Sequence, residues 1–228
     1  MKYILMALFI YGSLFGENLE TAAEVQKSQN TTNSTSNVEL KKGLEAQSKN
    51  DFVAAVKYLE PLAKNGEPVA QNAMGTILYW GGHGVKKNIN ESIKWYTLSA
   101  KQGNAAAQYK LGEMYYHGTE VKKNMAEAVK WYTASANLGN SIAQTRLGYM
   151  FTFGEGIAAN NNEAIKWYKL AIQNGDQKAK CDIFEPLLAS DNTPEMKKKA
   201  KTLLTKAYNE THNYQCKMIY DRYKLQNF

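Results

Sequence analysis

Ala107 to Gly139 decides the fold: AQYKLGEMYYHGTEVKKNMAEAVKWYTASANLG. It reads as two amphipathic helices with a short loop between them. The first carries Ala107, Leu111, Met114 and Tyr115 at spacings that a helix gathers onto one face. The second opens at Asn124, with Glu127 three residues on, a spacing close to a capping box. Its apolar positions are Ala128 and Val129, Trp131 and Tyr132, and Ala136. It stops at Gly139, the residue type that best tolerates a left-handed turn after a helix. Gly112, in the middle of the first helix, costs about 1 kcal/mol relative to alanine, so its presence implies close approach by the partner helix.

Working outward, the same pattern returns. Trp95-Tyr96, Trp131-Tyr132 and Trp167-Tyr168 recur every 36 residues. Gly103, Gly139 and Gly175 keep that beat, and so do Gly75, Gly112 and Gly148 once an extra residue in the Gly81-Gly82-His83-Gly84 loop is allowed for. Gln71, Gln108 and Gln144 each follow an alanine, Asn88, Asn124 and Asn160 open the second helices, and Asn104, Asn140 and Asp176 stand where the next first helix begins. One helix pair cannot bury its apolar face alone, so the stacked array is the folding unit. The fold class is all-α, stacked antiparallel helix pairs, with the solenoid assigned to residues 38–213 and a capping helix to 214–228. The first pair (about Val38–Asn65) and the last (about Asp176–Asn209) are degenerate: Phe184 stands where glycine is expected, and Pro186 interrupts a helix.

The flanks differ in composition. Lys2 followed by the apolar run Tyr3–Phe15 predicts a signal peptide over 1–16, too short to span a bilayer comfortably. That places the chain in the periplasm or outside the cell, with no stable membrane span after cleavage. Residues 17–37 include the polar tract QKSQNTTNSTSN and are expected to be a flexible linker. The formal charge is +7, concentrated at the end: residues 195–228 hold eight bases and three acids. A basic terminal helix is more simply a solvated face than a nucleic-acid site.

These residues resemble the Sel-one-like repeat family, relatives of tetratricopeptide repeats. The resemblance rests on A-Q-x-x-L-G-x-M-Y-x-x-G, V-K-K-N-x-x-E-A-x-K-W-Y and the closing glycine, strongest over Glu67–Gly175. It implies a right-handed α-solenoid used as an adaptor for another protein. Exported members include the Helicobacter cysteine-rich proteins, for which penicillin binding and hydrolysis have been proposed, so a β-lactamase-like hydrolase is the alternative. Those carry a cysteine pair in nearly every repeat, and this chain does not.

Signals for chemistry are sparse. His83, His117 and His212 share no helix face at ligand spacing, and neither H-E-x-x-H nor C-x-x-C occurs, so neither metal nor cofactor is expected. Ser190-Asp191-Asn192 lacks the S-x-x-K and K-T-G partners of an acylating serine and reads as a turn and helix cap. The tryptophans locked to the repeat read as packing. What varies while the core repeats is a set of first-helix positions: Asn72/Tyr109/Thr145, Thr76/Glu113/Tyr149, Tyr79/Tyr116/Thr152 and Trp80/His117/Phe153. The candidate binding residues on the concave face are Asn72, Thr76, Tyr79, Tyr109, Glu113, Tyr116, Tyr149 and Thr152, since tyrosine suits interfaces. A competing reading has these tyrosines completing contacts between repeats. The expected partner is a protein bound by a monomer. Cys181 and Cys216 lie 35 residues apart, one on a first helix and one near the same slot of the closing helix, and oxidising conditions favour a disulfide between them.

Overall fold

The computed structural model describes residues 35–227. Residues 1–16, where a signal peptide is expected from the sequence, residues 17–34 and residue 228 lie outside the described residues. Every regular element among the described residues is helical: α1 (35–48), α2 (Phe52–Lys64), α3 (Pro68–Trp80), α4 (Ile89–Lys101), α5 (Ala105–His117) and α6 (Met125–Asn137). Then follow α7 (Ser141–Phe153), α8 (Asn161–Gln173), α9 (Ala179–Asp182), α10 (Phe184–Ser190), α11 (Pro194–Thr211), α12 (Tyr214–Arg222) and a 3-10 turn at Leu225–Asn227. Packed in succession, they form an α-solenoid. Helix α1 takes in residues 35–37, which composition alone assigns to the linker. Polar residues suit a solvated helical turn, and Leu40 and Leu44 behind them pack on the cluster of α2 and α3.

Local chemistry sets each helix length. From α2 to α8 every helix has 13 residues. Asn88, Asn124 and Asn160 accept from the backbone N–H of Glu91, Glu127 and Glu163 at 3.1–3.2 Å, satisfying donors that a helix start leaves free. Asn104 and Asn140 do the same for Ala107 and Ala143 at 3.0 Å, and Glu67 serves Ala70. After α4, Gly103 at φ +84° lets its own N–H reach the Ala100 carbonyl and the Asn104 N–H reach that of Ser99. That is the paired bonding of a Schellman stop.

The glycine within the first helix has its reason in the next helix. A Cβ on Gly75 would stand 2.8 Å from the Tyr96 ring, on Gly112 2.6 Å from Tyr132, and on Gly148 2.7 Å from Tyr168. Each ring lies against bare backbone, and all three tyrosines are at most 1% exposed. The tryptophans beside them are only half-buried, so the sealed aromatic is the tyrosine. Trp95, Trp131 and Trp167 instead pack on the preceding clusters, Trp131 on that of α4 and α5.

Buried amides link the layers. Gln71, Gln108 and Gln144 donate to the carbonyls of Ala63, Ala100 and Ala136 at 2.9–3.1 Å. The side-chain oxygens of Gln71 and Gln144 accept from Gln102 (2.7 Å) and Asn174 (3.0 Å). The equivalent residue between those two is Leu138, 55% exposed, and the Gln108 oxygen is buried with no partner among the described residues.

The last pair departs from the rule. Phe184 occupies the glycine position and Leu204 the tyrosine position, both buried, so the large and smaller groups have changed sides. Pro186 splits the helix: its ring opposes the carbonyl four residues back, and α9 ends there, at Asp182. Asp176 caps only a turn, accepting from the Lys178 N–H at 3.0 Å, and α9 begins without a side-chain cap. Cys181 and Cys216 form a disulfide with Cα atoms 4.8 Å apart, tying this weakened unit to α12. The chain-entropy model gives a loop of this length about 4 kcal/mol.

Two substitutions test the packing. Helix propensity alone favours Gly112→Ala by about 1 kcal/mol. The tyrosine contact reverses the sign, and a net loss of roughly 1–3 kcal/mol is expected in urea unfolding. Leu138→Gln should restore the missing donor to Gln108 and raise stability by about 1 kcal/mol in the same assay.

Candidate functional site

The varying positions lie on the first-helix face of α3, α5 and α7, and the structure divides them into three groups. At the N-terminal end the Tyr96 hydroxyl donates to Thr76 Oγ1 (3.0 Å), which donates to the Asn72 carbonyl (3.0 Å). Tyr79 donates to Glu120 Oε1 at 2.7 Å, reaching into the loop of the following repeat. A cleft of about 200 Å³ opens here, lined by Tyr79, Trp80, Lys110, Glu113, His117 and Glu120. Trp80 is 65% exposed and stands edge-on to Tyr79, with ring centres 5.0 Å apart.

Midway, Tyr109, Glu113, Tyr116 and Tyr149 gather around Arg146, a residue outside the candidate set. Arg146 grips Glu113 through two nitrogens, Nε to Oε1 at 3.0 Å and Nη2 to Oε2 at 3.3 Å, a bidentate pairing. Its guanidinium lies 5.9 Å from the Tyr116 ring centre. The Tyr132 hydroxyl also donates to Glu113, and Tyr116 donates to Glu155 Oε2 at 2.7 Å. Burial first, then the adjoining carboxylate, pushes the Tyr132 and Tyr116 phenols far above their ordinary range. Burial pushes Tyr96 up to about 12. At neutral pH these hydroxyls are therefore donors. Tyr79 and Tyr116 thus act as struts between repeats. The open rings are Trp80 and Phe153 (65% and 46% exposed), with Tyr149 4.6 Å from Phe153.

The third group lies at the C-terminal end. Thr145 Oγ1 donates to Asp176 Oδ2 at 2.7 Å, and Thr152 Oγ1 donates to the Gly148 carbonyl at 2.8 Å. Beyond them stand Asp182 and Glu185, which the sequence reading passed over. The period alone points to them, since they occupy the positions of Arg146 and Tyr149 one repeat further on. Burial, then Asp176 and Glu185, push the Asp182 carboxyl up to about 6.

Elsewhere the geometry is structural. Asp191 Oδ1 accepts from the Thr193 N–H (3.1 Å) and Thr193 Oγ1 from the Met196 N–H (3.3 Å), so Ser190-Asp191-Asn192 is a turn leading into a helix cap. Among the described residues no group of three or more His, Cys, Asp or Glu is arranged to hold a metal ion. No described helix is long and apolar enough to cross a membrane.

The raised Asp182 carboxyl has a measurable consequence. Folding raises its pKa from 3.8 to about 6, so between those values the native state holds a proton that the unfolded chain has released. Stability from this group is full below about pH 4 and is lost as pH rises through about 6. Asp182→Asn should therefore raise stability at pH 7 by about 2 kcal/mol and leave it nearly unchanged at pH 4. Urea titrations at the two pH values check this.

Known proteins share this architecture. The Sel1 repeat matches residues 39–67, 68–104, 105–140 and 141–176. The Sel1 repeat protein of Oxalobacter formigenes superposes with a TM-score of 0.70 at 31% identity, covering 75% of this chain and 68% of that one. The protective antigen c5321 of uropathogenic Escherichia coli, described as displaying an SLR fold, gives 0.69 at 25% identity over 78% of this chain and 39% of its own. The sel1-like repeat-containing protein L21 of Acanthamoeba polyphaga mimivirus is 48% identical over 50 residues, 22% of this chain and only 9% of that protein. Four consecutive matches over more than half its length, on a helix-pair solenoid, show that the chain belongs to the Sel1 repeat family, whose members are generally protein-interaction scaffolds rather than enzymes.

Proposed function

We propose that this protein is an exported scaffold that binds a segment of a partner protein along its first-helix face, the concave side of the solenoid. One observation carries the reading. The equivalent residues Trp80, His117 and Phe153 form a row of ring side chains at the ends of α3, α5 and α7. Trp80 and Phe153 are 65% and 46% exposed, although the tyrosines beneath seal the core without them. Exposed aromatic surface at one register position is costly to leave in water and is favoured at interfaces. Asn72, Thr76, Tyr79, Tyr109, Glu113, Tyr116, Tyr149 and Thr152 form the polar and aromatic floor beside it.

Export draws support from two features of the chain. A lysine and an apolar run open the sequence. The Cys181–Cys216 disulfide suits an oxidising compartment. For a hydrolase the site offers little: the Ser190-Asp191-Asn192 triplet is spent on a turn and a cap.

The test uses tagged protein incubated with envelope extract, the retained partner then being titrated against variants. Trp80→Ala should weaken association by roughly 1–3 kcal/mol with the melting temperature unchanged, because the ring is mostly in solvent. Lys94→Ala, on the second-helix side, should leave binding intact. Equal losses from the two variants, or a melting temperature that falls in step with binding, would refute the assignment of this face.

A further inference from the structure

Charge along the first-helix face follows the repeat and then breaks off. Lys110, Arg146 and Asp182 occupy one register position in successive units, and Glu113, Tyr149 and Glu185 occupy the next turn. Arg146 pairs with Glu113 behind it through two nitrogens. One unit on, the sign reverses: Asp182 takes the arginine's place, and Arg146 and Lys178 act on it without a direct bond. Among the described residues its carboxylate accepts no hydrogen bond and has no cation within 4 Å.

Glu185, three residues on and just past the break between α9 and α10, is 8% exposed. Arg222 Nη1 (2.5 Å) and the Tyr223 hydroxyl (3.4 Å) donate to its Oε1, while its Oε2 is buried with no partner among the described residues. Both carboxylates act on the Tyr168 phenol. The third acid, Asp176, already accepts from Thr145 and the Lys178 N–H. Two neighbouring carboxylates therefore have unused acceptor positions: Asp182, which is partly open to solvent, and the buried second oxygen of Glu185, whose charge Arg222 already balances. An acceptor left unfilled lowers stability, and a native chain keeps such a defect mainly at functional positions.

A positively charged group with several N–H donors would fill these acceptor positions. An arginine guanidinium is planar, always charged and forked to meet carboxylates. Tyr149 and Phe153, 37% and 46% exposed on α7, the preceding first helix, offer apolar surface to the residues beside it. We infer that the Asp182–Glu185 end of the first-helix face takes an arginine side chain of the partner segment. The inference rests on the reading of this face as a partner-binding surface and names what that surface selects.

The full chain is titrated by fluorescence anisotropy with a short labelled peptide holding one arginine between leucine and tyrosine. The comparison peptide has citrulline, the neutral isostere, in place of arginine. The arginine peptide should bind at least about tenfold more tightly, the usual worth of a charged hydrogen bond. Asp182→Asn, which should fold more stably, should erase that preference. Equal binding of the two peptides, or a preference that survives Asp182→Asn, would overturn the inference. Neither peptide binding would do so too, as would free N-acetyl-arginine amide binding as tightly as the peptide, which would mark a small-cation pocket. If Trp80→Ala weakens both peptides equally and citrulline costs nothing, the partner-binding surface stands and only its arginine preference fails. If Trp80→Ala also has no effect, the surface assignment fails with it.

Discussion

A tyrosine ring laid on a glycine backbone is the contact on which the array depends. In three successive units the second helix approaches the first so closely that a single methyl group at Gly75, Gly112 or Gly148 would fall inside the van der Waals radius of the ring. The helix tolerates the entropic cost of glycine because the ring removes a large aromatic area from water at that point. Ser92, buried beside it, donates to the Gly75 carbonyl at 2.6 Å, so the exposed backbone at the contact does not lose its partner. Close approach here brings the remaining alanines, leucines and methionines of each pair into register.

Other links are subordinate and less uniform. The Tyr79–Glu120 and Tyr116–Glu155 bonds join consecutive repeats across their loops, using different loop positions to reach equivalent tyrosines. The amide ladder is complete at Gln71 and Gln144 and broken at Gln108. At the last pair the aromatic contact is inverted between Phe184 and Leu204, and the disulfide compensates by binding α12 across the proline-split helix. Covalent constraint thus appears where the noncovalent repeat rule lapses.

Most of the solenoid was legible because the period multiplies weak signals. One Asn-x-x-Glu or one mid-helix glycine decides little, but three of each in one register fix helix starts, stops and the close contact. The period did not say which member of the Trp-Tyr pair is sealed, since both are aromatic and adjacent. Only the glycine geometry separates Tyr132 from Trp131. The candidate face was found by the same logic, from positions that vary while the core repeats. Arg146, Asp182 and Glu185 escaped because their roles depend on charge partners up to 37 residues away, and spacing carries no sign of charge. The first three residues of α1 were missed because solvated helix and linker share a composition.

The inversion at Phe184 and Leu204 also fixes which helices can be exchanged. Up to Gly175 each pair brings its own bare backbone on the first helix and its own ring on the second, so the second helix of one unit can, on steric grounds, seat on the first helix of another. In the last pair the first helix fills the space with its own phenylalanine, and a tyrosine-bearing second helix has nowhere to seat. Recombination between units is therefore permitted within the Gly75–Gly175 stretch, while the helices that carry Phe184 and Leu204 must be inherited together.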